Sequence, residues 1–201
     1  MRYNVWLDVC GFLVLAIILM MHQLRNSIRI MQNNLYLVNM MTIMCICGCS
    51  CVSFAFSEAG LGIPAMIFRV LTVILGLSDG VLWIIYVAAI VNVRIDWDIC
   101  LPWPLTPLFA LSMLTVAGSF SGWFYEMGPH GNIYMGPLYP LILWADALFF
   151  IGGGCFAVLK RKYLSRERLL LVPAFFATGI IGVSVQMLYP ELQVIHFTVA
   201  V

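Results

Sequence analysis

Charge is what this chain has least of. Acidic and basic side chains make up 9% of its 201 residues, where soluble domains carry about 25%. Lysine occurs twice, at Lys160 and Lys162. With 63% hydrophobic residues and a mean hydropathy of +1.02, there is too little polar surface to cover a water-soluble core, so lipid is the expected solvent. A net charge of +1 gives no basic field for nucleic acid, and no nucleic-acid partner is expected. Catalytic signatures are missing too: no Gly-rich phosphate loop, no Ser-His-Asp order, no HExxH and no CxxC pair. Residues 1–201 therefore read as no enzyme in themselves, and no cofactor is implied. The seven cysteines are an odd number, mostly inside apolar runs, so they do not form a disulfide framework. The first apolar run lacks a basic leader beyond Arg2 and a small-residue cleavage site, which argues against a removable signal peptide.

What the chain does have is long apolar segments. Crossing a hydrocarbon layer of ~30 Å takes ~20 residues at ~1.5 Å per residue. On that measure the sequence predicts an all-α integral membrane bundle. Six complete spans fall at about 5–21, 35–56, 65–93, 105–120, 138–159 and 169–188, and a truncated seventh at 192–201. The whole chain then forms one transmembrane domain. Pro102, Pro104 and Pro107 fall at the start of the fourth span, where proline is tolerated. Residues 121–137 form the longest connecting loop. The two threefold halves share no motif, so an inverted-repeat transporter is not supported.

Basic residues set the expected orientation. With the N-terminus outside, Arg25, Arg29, Arg94 and the group Lys160, Arg161, Lys162, Arg166 and Arg168 all fall inside, and Glu58, Glu126 and Glu191 fall outside. Arg2 and Arg69 are the exceptions.

Two acids stand out because they lie within spans: Asp79 in LSDGVLW and Asp146 in LWADALF. A carboxylate at mid-membrane costs ~2.5–3.5 kcal/mol even on insertion scales, so it faces the bundle interior and has a partner. It can serve as a ligand, proton or ion contact, or form a structural hydrogen bond to Ser, Tyr or Trp on a neighbouring helix. Trp144, Phe149 and Phe150 crowd Asp146 in sequence. Arg69 is expected to snorkel to the headgroups, with pairing to Asp8 or Glu58 as the alternative. Trp123, Phe124, Tyr125, Tyr134 and Tyr139 read as an interfacial aromatic belt or as the roof of an outward-opening ligand pocket. In MMTIMCICGCSC, Cys45 and Cys49 share one helix face and Cys47 and Cys51 another, so one helix cannot close all four around an ion. His22 and His130 are poorly placed to share a haem. No lysine lies within the spans to form a retinal Schiff base.

The signature Tyr134-Met135-Gly136-Pro137-Leu138-Tyr139, the basic loop Lys160–Arg168 and the element Gln186-Met187-Leu188-Tyr189-Pro190 resemble the seven-helix sensory module at the N-terminus of many bacterial histidine kinases and GGDEF diguanylate cyclases. The resemblance implies a multi-pass protein of the bacterial inner membrane. Such a module perceives an extracellular or membrane-borne ligand and relays the signal through its last helix to a cytoplasmic output domain. Cyclase or kinase activity would lie downstream of Val201. A homodimer is compatible with this role. The resemblance assigns no catalytic or ligand-binding residue, and Gly136, Pro137 and Tyr139 match it as structural positions. The alternatives are a small-molecule or ion transporter, an integral membrane enzyme, and a structural anchor for a partner.

Overall fold

A tight corner joins the helices α2 (Met31–Glu58) and α3 (Gly62–Ile90). Gly60 takes φ 75°, a left-handed conformation that glycine adopts without a steric cost. Its N–H donates to the Ser57 carbonyl (3.0 Å) and that of Leu61 to the Phe56 carbonyl (2.9 Å). These are the paired bonds that close a helix C-terminus and reverse the chain. Ser53 Oγ donates to the Ala65 carbonyl at 2.8 Å, and Phe56 stacks on Phe68, so the two helices leave the corner already packed.

The computed structural model describes residues 6–25, 31–90 and 102–163, with isolated helical positions between 177 and 188. Three further helices complete the described architecture: α1 (Trp6–Arg25), α4 (Pro102–Phe120) and α5 (Tyr139–Leu159). α3 is the hub. It packs against α2, α4 and α5, and α1 packs against α2. Both the α2–α3 corner and the α4–α5 connection lie at one end of the bundle, as contacts between them show below. The start of α1 lies there too, because Asp8 reaches Ser50 of α2 and Arg69 of α3. Neighbours in sequence therefore run antiparallel, and α1, α3 and α5 run parallel. Lys160, Arg161 and Lys162 sit exposed at the opposite end.

Among the described residues, three helices are long and apolar enough to cross a membrane: Asn34–Glu58, Gly62–Ala89 and Tyr139–Leu159. Two shorter apolar helices, Trp6–Met21 and Leu105–Phe120, accompany them. These five match the first five expected spans to within a few residues. The expected spans at 169–188 and 192–201 lie outside the described residues apart from the isolated positions, as does the loop with Arg94, Asp96 and Asp98. Pro107 falls inside α4 rather than in its first turn. Large apolar side chains point away from the packed interior: Leu13 and Ile17 on α1, Phe109 and Met113 on α4, Leu148 and Ile151 on α5. That is the arrangement expected where lipid is the solvent.

The loop expected over 121–137 holds a small β-hairpin instead. Strands β1 (Tyr125–Met127) and β2 (Ile133–Met135) pair antiparallel, with Glu126 opposite Tyr134. Gly128 N–H donates to the Asn132 carbonyl at 2.7 Å and closes the turn. Tyr125 at the start of β1 is buried, while Glu126 and Met127 are exposed. The hairpin tip is fastened to the α2–α3 corner. Ser57 Oγ donates to the Gly131 carbonyl at 3.3 Å, and Gly131, at φ 77°, lies against the backbone of Gly60 and Gly62. A side chain at Gly131 would collide with that corner. At the hairpin base, Gly136 N–H donates to Phe124 and Leu138 N–H to Trp123.

Among the described residues the interior holds two apolar clusters. One, nearer the hairpin, gathers Met66, Val70, Val73 and Leu77 with Phe124, Tyr125, Tyr139, Ile142 and Leu143. The other, nearer the Lys160 end, gathers Leu15, Leu19, Met40, Ile43, Trp83, Val87, Phe150 and Ala157. Asp79 and Asp146 lie between them, since Leu77 and Ala145 belong to the first cluster and Trp83 and Phe150 to the second.

Candidate functional site

The parallel helices α3 and α5 meet through small residues. An added Cβ at Gly80 would strike Phe149 at 2.9 Å, and one at Gly153 would strike the Trp83 indole. Glycines at such positions let helix backbones approach closely where lipid gives no hydrophobic push. This registration puts Asp79 beside Asp146, near enough for their charges to interact. Only 5% of Asp79 and 8% of Asp146 is exposed. Oδ1 of each has no hydrogen-bond partner among the described residues. A buried carboxylate oxygen left this way is costly, and two carboxylates in a dry seam cannot both stay charged without something positive between them.

A second polar centre lies on the same helix, one layer closer to the hairpin. Arg69 is 9% exposed and Asp8 2%. Ser50 joins them: its Oγ accepts from Arg69 Nη1 at 3.4 Å and donates to the Asp8 carboxylate. The guanidinium also lies over the Tyr125 ring, 5.9 Å from its centroid, within cation–π range. Tyr125 packs against Tyr139 with centroids 5.7 Å apart. Burial chiefly, with Tyr139 and Asp146 adding and Arg69 opposing, pushes the Tyr125 phenol above its ordinary range. It stays a neutral O–H at any physiological pH.

Arg69 thus departs from the snorkelling arrangement expected of it. It points inward and meets Asp8, because Ser50 and the Tyr125 ring together offer a better solvent than the headgroups would. Glu58 is exposed. The five aromatics do not act as one belt. Phe124, Tyr125 and Tyr139 are buried, whereas Trp123 is 50% exposed and Tyr134 is also exposed. Trp144 is 60% exposed and lies on the outward face of α5. Phe150 packs on Trp83, and Phe149 packs on Gly80.

No family profile, curated protein or solved structure matches the chain.

Of the candidate residues, the fold brings Asp79 to Asp146, and Arg69 to Tyr125 and Tyr139. It leaves Trp123 and Trp144 outside both groups. Ser50 and Asp8 are site residues that the sequence did not single out as a pair. The available signal was a serine amid the cysteine-rich run of α2, which in a lipid-facing helix needs a partner. Cys45 is exposed, Cys47 buried, and Cys49 and Cys51 half-buried, and no group of three metal-ligating side chains is gathered among the described residues.

Proposed function

We propose that this chain is a membrane-embedded signal-input module. The observation that supports it is the placement of both polar centres on α3, the helix that contacts α2, α4 and α5. A change of charge or occupancy at either centre alters the packing of one hub. That hub and the parallel α5 run toward the Lys160–Lys162 end. The hairpin then faces the cell exterior and the basic end the cytoplasm, following the bias of lysine and arginine for the inner leaflet. The resemblance to sensory modules of histidine kinases and diguanylate cyclases supports the same assignment. An output unit on the cytoplasmic side would read the shift.

The test is a fusion of the chain to a diguanylate cyclase reporter in intact cells. A signal-input module gives cyclase output that changes with external pH, ions or apolar solutes, and Asp79→Asn or Asp146→Asn alters that response. Output that is constant under all three, in wild type and variants alike, defeats the reading. A second reading has one observation in its favour. The open carboxylate pair also suits a proton- or ion-coupled transporter. Solute or ion flux into liposomes holding the purified protein would establish it.

A further inference from the structure

The two polar centres are not separate. Tyr125 lies in electrostatic range of Arg69 on one side and Asp146 on the other, and Asp146 in range of Asp79. A string of polar side chains therefore runs from the hairpin end to mid-bundle: Asp8, Ser50, Arg69, Tyr125, Asp146, Asp79. Below Asp79 the second apolar cluster takes over, with Leu15, Ile43, Val87 and Phe150, and Asn39 is a buried polar side chain at that end.

Among the described residues, the groups that face the pair are few. α4 brings no ionisable side chain among its described residues. α5 brings Tyr139 at its start, and the hairpin brings Tyr125. On α2, Cys47 and Cys51 lie in range of Asp8. Arg69 is the only lysine or arginine among the described side chains of the five helices, and Asp8, Ser50 and the Tyr125 ring already engage it. The pair thus combines two like-charged groups, an oxygen on each that is unpartnered among the described residues, and more than nine-tenths burial.

We propose that Asp79 and Asp146 form an acceptor site for one small monovalent cation, H⁺ or Na⁺, filled from the hairpin end through the string ending at Tyr125. Two carboxylates sharing one positive charge satisfy the free oxygens and relieve their mutual repulsion. Loss of that charge drives the two helices apart at the seam where Gly80 and Gly153 hold them close. The site rests on the burial of the pair, its unpartnered oxygens and the α3–α5 register, and its use as the stimulus rests on the signal-input reading.

Dicyclohexylcarbodiimide, an apolar reagent that modifies protonated carboxyls in lipid, tests the site in the wild-type protein reconstituted in liposomes. The expected result is an adduct at Asp79 or Asp146, found by mass spectrometry, that falls tenfold or more as the pH is raised. Protection by added Na⁺ at fixed pH identifies sodium as an occupant, and labelling indifferent to Na⁺ identifies the proton. No adduct at either residue, with exposed Glu58 modified, overturns the proposal. Infrared difference spectra across a pH jump give an independent check. The carboxyl C=O band that titrates in wild type should be lost in the Asp79→Asn/Asp146→Asn double variant, and an unchanged band overturns the site. Tyr125→Phe should slow the rise of that band at least tenfold without changing its final size, and an unchanged rate overturns the route. If the band titrates while the cyclase fusion stays silent, the cation site holds and the signal-input reading fails.

Discussion

The two polar centres on α3 solve the same problem in opposite ways. At the hairpin end, a buried cation and a buried anion are joined through Ser50 and shielded by an aromatic ring. At mid-bundle, two anionic groups face each other, each with an oxygen unpartnered among the described residues. The first centre is complete within the protein, and its job is to lock α1, α2, α3 and the hairpin together. The second is incomplete among the described residues, and under the cation proposal its missing partner is brought from outside. Burial is nearly the same in both, so the sign of the partner, not the depth, separates a structural site from a responsive one.

Removing one partner from the complete centre should do the most harm. Arg69→Met leaves Asp8 buried without its counter-ion and should cost about 3–5 kcal/mol, read as a large fall in thermal stability of the detergent-solubilised protein. Adding Asp8→Asn to that variant should recover much of the loss. If Arg69→Met is harmless, the contrast between the centres disappears. Next in size is the seam itself: Gly153→Leu forces a side chain into Trp83 and should cost about 1–3 kcal/mol through overpacking, measured in the same way.

The Asp79→Asn/Asp146→Asn double variant sharpens the comparison, because it should leave stability unchanged or raised while abolishing any response to cations. Removing facing carboxylates takes away repulsion instead of support. A stability loss as large as that of Arg69→Met would put both centres in the same structural class. The smallest effect belongs to Trp144→Leu on the outward face of α5, which should stay within about 0.5 kcal/mol.

Much of the architecture was legible because lipid imposes a length rule on apolar runs. That rule located α2, α3 and α5 closely, and it marked Asp79 and Asp146 as unusual one by one. It could not pair them. Their meeting depends on the register set by Gly80 against Phe149 and Gly153 against Trp83, contacts between segments about seventy residues apart. The burial of Arg69 was hidden for the same reason, since the Ser50 and Asp8 that hold it come from other helices. The hairpin escaped notice because strands of three residues are too short to show alternation. Its contacts with the α2–α3 corner and the burial of Phe124 and Tyr125 give it a fixed place.

The fastening of the hairpin tip to the α2–α3 corner has a mechanical consequence. It ties the starts of α3 and α5 to one block, so any relative motion of these helices must swing from that block like two arms from a common joint. Asp146 lies about 10 Å along α5 from its first residue, and Leu159 about 30 Å, at ~1.5 Å per residue. A widening of half an ångström at the aspartates would therefore arrive at the basic end roughly three times larger.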